Sequence, residues 1–174
     1  PLPKLTYSSV QKTRTFHPPT NDKVFLLSQL SKHIEEACRK ARHYCLVPKK
    51  ISFFLKTQDF KYFSYTASLE APTNAPESLI SIAHRHLKEV WRVGILYRTA
   101  GVTLHDLTSE GIKQGDLFGA SERENKFEII HRQIDTLEEK FGKRVLYLAS
   151  THKSLKHKKI GTDSEDLNRN LLFL

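Results

Sequence analysis

Seven basic side chains sit in or beside stretches of alternating polarity: Lys12, Arg14, Lys49, Lys50, Lys56, Lys61 and Arg98. Alternation sends every second residue to the same side of a strand. Cations placed that way can line a sheet face and pair with phosphates, holding a nucleic acid without reading its bases. The hydroxyls of Ser64, Thr66 and Thr103 fall among them as neutral partners. Strand lysines also serve simply to protect an edge from aggregation, so both readings stand at this point. Catalytic chemistry finds little to work with. The carboxylates lie on helix faces, in turns or in an acidic tail, and none are paired in a strand-turn setting. No glycine-rich phosphate loop and no Ser-His-Asp or Cys-His order stands out. His84 and His86 fall on different faces of one helix, and His152 and His157 lie in a basic stretch, so the histidines lack zinc spacing.

A second constellation is QGDLFG at 114–119. Leu117 and Phe118 are two large apolar side chains in a polar, glycine-flanked stretch, three residues beyond Gln114. They fit either a linker that folds back on its own domain or a hook for a partner's hydrophobic pocket. Burial in such a pocket contributes about 1.5–3 kcal/mol per side chain, and Gln114 adds hydrogen bonds worth roughly 1 kcal/mol. Ordering the peptide takes back several kcal/mol, so the expected contact is about micromolar or weaker.

The elements that must position these residues follow from periodicity. SSVQKTRTF (8–16) reads as a polar strand, and Pro18-Pro19-Thr20-Asn21 breaks the chain before a helix. From Asp22 to about His43 the positions Val24, Leu27, Leu30, Ile34, Ala37, Cys38, Ala41 and Cys45 keep helical spacing. KISFFLKT (50–57) and FKYFSYTASL (60–69) alternate across a short turn and form a hairpin. APTNAPES precedes a second helix with Leu79, Ile82, Ala83, Leu87 and Val90 or Trp91 inward, and a last strand runs from about Tyr97 to Leu107. The predicted fold is α+β: a βαββαβ antiparallel-type sheet of four strands with both helices on one face. The bare side then carries Lys50, Ser52, Phe54, Lys56, Tyr62, Ser64, Thr66, Ser68, Thr99, Thr103 and His105. Phe127, Ile130, Ile134, Leu137 and Phe141 predict a further helix ending near Gly142, and VLYLAS (145–150) a short strand. The expected division is a linker (1–7), a sheet domain (8–107), a linker with the apolar hook (108–120) and a helical appendage with a tail (121–174).

The 174 residues carry a formal net charge of +9, which suits a polyanionic partner, though a merely soluble basic protein has the same balance. No apolar run approaches the ~18 residues that cross a bilayer, so no membrane partner is expected. Cys38 and Cys45, seven apart in the expected helix, would sit roughly 10 Å from each other, too far for a disulfide. They point to a reducing, cytoplasmic setting. The start PLPKL and the absence of any Met read as a piece cut from a longer chain.

In order and spacing, RTF, the first helix, PKKISFFLKTQDFKYFSYTASLEAPTN, YRTAGVTLHDL and QGDLFG together resemble the C-terminal region of bacterial Y-family translesion DNA polymerases. The likeness is to the polymerase IV and V type, the ImpB/MucB/SamB-like group, over roughly residues 8–120. It implies a little-finger domain whose open sheet face lies along primer–template DNA, with backbone contacts from Lys12, Arg14, Lys50, Lys56, Lys61, Ser64, Thr66, Arg98 and Thr103. It further implies that Gln114, Leu117 and Phe118 dock on the ring-shaped sliding clamp. Catalytic carboxylates and magnesium would belong to a palm domain upstream, with no catalytic residue and no cofactor in this stretch. Asn168, Leu171 and Phe173 mimic a variant clamp peptide, against the plainer expectation of a terminal strand or helix packing on the 127–148 appendage. Two rivals share the pattern. An RNA-recognition module has the same βαββαβ order but wants a glycine in FKYFSYTASL, and a non-catalytic clamp-binding relative would bind the clamp with little DNA affinity.

Overall fold

A computed structural model describes residues 7–109, 120–142, 146–156 and 172–173. Strand β1 (Ser9–Thr20) leads into helix α1 (Lys23–His43), then a short strand β2 (Leu46–Val47) and the hairpin β3 (Lys50–Thr57) and β4 (Tyr62–Ser68). Helices α2 (Pro76–Arg85) and α3 (Leu87–Val90) precede β5 (Tyr97–His105) and the short β6 (Thr108–Ser109). Beyond them come α4 (Ala120–Phe141), a 3-10 turn (Ala149–Thr151), α5 (His152–Lys156) and β7 (Leu172–Phe173).

The main sheet has the order β4-β3-β5-β1-β7 with antiparallel pairs throughout. In β3, Ile51, Phe53 and Leu55 are fully buried, and their partners Leu104, Val102 and Ala100 in β5 are buried with them. These side chains share one core with Leu26, Leu30, Ile34, Ala37, Cys38 and Ala41 of α1 and with Leu79 and Ala83 of α2. Both helices therefore cover the same sheet face. Burial also pushes the Cys38 thiol up to about 12, so it is an inert core group.

Local chemistry sets the helix ends. Asp22 Oδ1 accepts from the backbone N–H groups of Val24 at 2.9 Å and Phe25 at 3.1 Å, satisfying two donors that a helix start leaves unpaired. Lys40, Arg42 and His43 occupy the last turn, where positive charge is favoured. Pro76 opens α2 at a position that needs no N–H. In the APTN stretch before it, Asn74 is fully buried and donates to the Leu46 carbonyl at 3.2 Å.

Several boundaries differ from expectation. The strand β1 continues through Pro18 and Pro19 to Thr20, and its register against β5 shifts between Thr15 and Thr20. Proline lacks the ladder's N–H, and a shifted register is where a strand tolerates it. The first helix stops at His43, as expected, with Tyr44 as its cap, but Cys45, expected to continue its spacing, takes a left-handed φ of 53° and is exposed. The second helix divides at His86 into α2 and α3. Asp106 at φ 51° ends β5, and Thr108–Ser109 then pair with Leu46–Val47, a ladder too short to show alternation. No strand forms over 146–150. The Thr151 amide and hydroxyl both donate to the Leu148 carbonyl, at 2.9 and 2.8 Å, and Ser154 Oγ donates to the Thr151 carbonyl. These local bonds turn the chain into α5. Finally, Leu172–Phe173 pair with Val10–Ser9, so the sheet gains a fifth strand; the expectation there is a terminal strand or helix, but packed on the 127–148 appendage rather than on β1.

Helix α4 departs from ordinary amphipathic packing. Its apolar residues Ile130, Leu137 and Phe141 are exposed, while Glu128, His131 and Glu138 are buried. Arg42 grips Asp135 with two parallel bonds, Nε to Oδ2 at 2.6 Å and Nη2 to Oδ1 at 2.9 Å, and its Nη1 donates to the Asn74 carbonyl at 3.0 Å. Arg39 pairs with Glu138, and His131 Nε2 lies 2.7 Å from Glu77 Oε1. Helix α4 is latched by charge.

Candidate nucleic-acid interface

The register assigns each side chain to a face. Residues directly opposite in an antiparallel pair point the same way. Lys50, Ser52, Phe54 and Lys56 stand opposite Ser68, Thr66, Ser64 and Tyr62 of β4, and opposite His105, Thr103, Gly101 and Thr99 of β5. In β1, Ser9, Gln11, Thr13 and Thr15 face the same way. This is the side opposite α1 and α2.

Hydroxyls dominate the middle of that face. Ser52 and Thr66 share a hydrogen bond of 2.8 Å, His105 Nε2 lies 2.9 Å from Ser52 Oγ, and Thr15 and Thr99 hydroxyls are 3.0 Å apart. Burial holds the His105 ring below the ordinary histidine value, with the Asp106 charge opposing, and its Nε2 shares a hydrogen bond with Ser52. The Phe54 ring lies across Gly101, where an added Cβ would come within 2.3 Å of the ring. That close approach accounts for the glycine of YRTAGV.

The cations differ in how free they are. Lys50 Nζ is 2.8 Å from Asp106 Oδ2, and that hydrogen bond holds the carboxyl below its usual range. The pair partly neutralises that end of the face. At the other end, Lys56 Nζ stands 5.2 Å from the Phe60 ring centre and 5.4 Å from that of Tyr62. Arg98, at the register shift of β5, lies 5.6 Å from the Phe60 ring. Lys61 is exposed in the turn, and Ser64, Thr66 and Thr103 sit on the open face.

Lys12 and Arg14 do not join them. Their partners are Val102 and Ala100, which point into the core, so both side chains leave β1 on the helix side. Lys12 is only 8% exposed. Burial lowers its pKa, with the Glu36 charge opposing. Alternation and the family resemblance together group Lys12 with Lys56 as phosphate contacts, whereas the register puts them on opposite faces. Lys12 instead lines a cleft between α1 and α4 with Glu36, Arg39, Lys40 and Arg132. Phe60 and the pairing of Lys50 with Asp106 are what sequence reading missed. The former sits in a turn, where alternation carries no facing information.

Residues 7–117 match the model of the impB/mucB/samB family C-terminal domain. The chain belongs to the impB/mucB/samB family. Protein ImpB of Salmonella typhimurium is 30% identical over 146 residues, covering 79% of this chain and 34% of that protein. A DNA polymerase IV of Pelotomaculum thermopropionicum is 28% identical over 115 residues, 66% of this chain and 28% of its own length. The chain thus spans about a third or less of these relatives. In shape it resembles the insertion ternary complex of Dbh DNA polymerase, with a TM-score of 0.52 and 20% identity over 58% of this chain and 29% of the other. That likeness is one of fold. Gln114, Leu117 and Phe118 lie outside the described residues, as do Asn168 and Leu171.

Proposed function

We propose that this chain is the DNA-gripping and clamp-recruiting region of a translesion DNA polymerase that acts in the cytoplasm. The observation that carries the reading is the two-sided sheet, with a two-helix core on one side and a hydroxyl- and lysine-bearing face on the other. Lys56, Arg98 and Lys61 pair with phosphates, Ser64, Thr66 and Thr103 donate to them, and Lys50 contributes when Asp106 releases it. Such contacts hold any sequence equally, as an enzyme that copies arbitrary template requires. Lys12 and Arg14 stay outside this set because they face the helices.

Gln114, Leu117 and Phe118 would engage a sliding clamp. Weak docking there raises the local concentration of the polymerase at a primer end through tethering. The nucleotidyl-transfer step and its magnesium ions are assigned to the part of the parent enzyme beyond this chain. Among the described residues no three His, Cys, Asp or Glu side chains come together. Asp135, Glu138 and Asp106 are engaged by Arg42, Arg39 and Lys50.

Two binding measurements test the proposal. Leu117→Ala with Phe118→Ala should abolish clamp capture and leave duplex affinity unchanged; surviving capture removes these residues from the clamp site. Primer–template DNA should bind more tightly than single-stranded RNA, and the opposite order favours the RNA-recognition alternative.

A further inference from the structure

The hairpin end of the open face carries more than cations. Phe60 is 65% exposed and Tyr62 is 61% exposed, the most exposed aromatic rings among the described residues. Both are flanked by positive charge, Lys56 beside each ring and Arg98 beside Phe60. Tyr62 continues inward to Phe54, with ring centres 5.5 Å apart, so the rings form a row from the middle of the face to its end.

The backbone at Phe60 makes this costly to keep. The turn closes through the Phe60 amide donating to the Thr57 carbonyl at 3.2 Å, and the Thr57 amide donating to the Lys61 carbonyl at 3.0 Å. Phe60 adopts φ 62° there, in the left-handed region that such hairpin turns normally fill with Gly or Asn. A bulky aromatic at positive φ is a genuine outlier, and here it gains no burial in return. Strained, exposed side chains of this kind point toward a binding role.

We propose that Phe60 and Tyr62, with Lys56 and Arg98, form a stacking site for unpaired nucleotides of a DNA strand running beyond the duplex. This rests on the reading of the open face as the DNA side. The chemistry selects the occupant. Bases inside a duplex have no free faces, whereas unpaired bases stack on exposed rings irrespective of sequence. The two cations supply partners for the phosphates that link them. The hydroxyl tract then holds duplex backbone, and the hairpin end holds the strand that leaves it.

The test compares a blunt hairpin duplex with the same duplex bearing a short single-stranded overhang that contains a fluorescent adenine analogue. The wild-type chain should prefer the overhang substrate and alter the analogue's fluorescence on binding. Phe60→Leu with Tyr62→Leu keeps apolar bulk but removes the aromatic faces. It should weaken overhang binding by about tenfold or more, abolish the fluorescence change and leave blunt-duplex affinity within about twofold of wild type. Equal affinity for both substrates, or full retention of overhang binding by the double variant, overturns the stacking site and leaves the open-face reading standing. Failure of the wild type to bind either substrate overturns both.

Discussion

Helix α1 is held on two sides by different physics. Toward the sheet it presents Leu26, Leu30, Ile34 and Ala37, all fully buried against apolar partners. Toward α4 it presents Arg39 and Arg42, which meet Glu138 and Asp135. Apolar burial is stabilising in proportion to area and carries no charge for salt to screen. A buried ion pair has a modest net value, because desolvation offsets most of its attraction, yet breaking one side is expensive. The sheet body and the appendage should therefore fail under different conditions: the body to core truncation, the appendage to salt and to loss of a single arginine.

The largest effect is expected in the body. Leu30→Ala removes a fully buried side chain from the centre of the helix–sheet core and should cost about 2–5 kcal/mol, read as a lowered denaturant midpoint. A change below about 1 kcal/mol would mean that α1 is held by something other than this core.

At the appendage, Arg42→Ala strands the Asp135 carboxylate and the Asn74 carbonyl. We expect a loss of roughly 2–4 kcal/mol, with proteases cutting within α4 before the sheet body unfolds. Arg39→Ala should cost under about 1 kcal/mol, because the Arg39 side chain is 45% exposed and its pair is partly screened. Raising salt should loosen α4 in the wild type, chiefly at the pair of half-exposed Arg39 with Glu138, whose charges are screened more than those of Arg42 and Asp135. Simultaneous unfolding of α4 and the body at every salt concentration would contradict two modes of attachment.

A smaller, pH-dependent effect sharpens the contrast from inside the body. His33 of α1 is 2% exposed, and among the described residues neither ring nitrogen has a hydrogen-bond partner. Glu36 stands 3.9 Å away, too far for a hydrogen bond. Burial holds the ring below its ordinary value; the Glu36 charge opposes this, while the Lys32 and Arg14 charges add to it. The unfolded chain thus takes up a proton that the folded chain resists. Stability is full above the ordinary histidine value of about 6.5 and falls as pH drops below it toward the folded value. His33→Gln should flatten the decline between about pH 7 and pH 5, followed by urea unfolding. An unchanged slope would assign the pH dependence to other groups.

The same contrast separates what could be read from the sequence from what could not. Periodicity identified α1, the hairpin and the inward residues Ile51, Phe53, Leu55, Val102 and Leu104, because burying an apolar stripe is what fixes a strand's register. It also placed Lys50, Lys56, Ser64, Thr66 and Thr103 on one face. It assigned no face to Lys12, which occupies an inward position on β1 that apolar patterning could not flag. It gave no warning that α4 would turn its charged residues inward, since the partners Arg39, Arg42 and Glu77 lie about 50–100 positions away in the chain, and a helical pattern reports only neighbours three or four apart.

The central claim is that DNA lies on the sheet face away from the helices. Salt dependence of duplex binding tests it most directly, because each lost phosphate contact lowers the log–log slope by about 0.9. Lys56→Ala with Arg98→Ala, on the open face, should reduce the slope by about 2. Arg39→Ala with Lys40→Ala, on the helix side, should leave it unchanged. A slope reduced by the helix-side pair and untouched by the open-face pair would contradict the account.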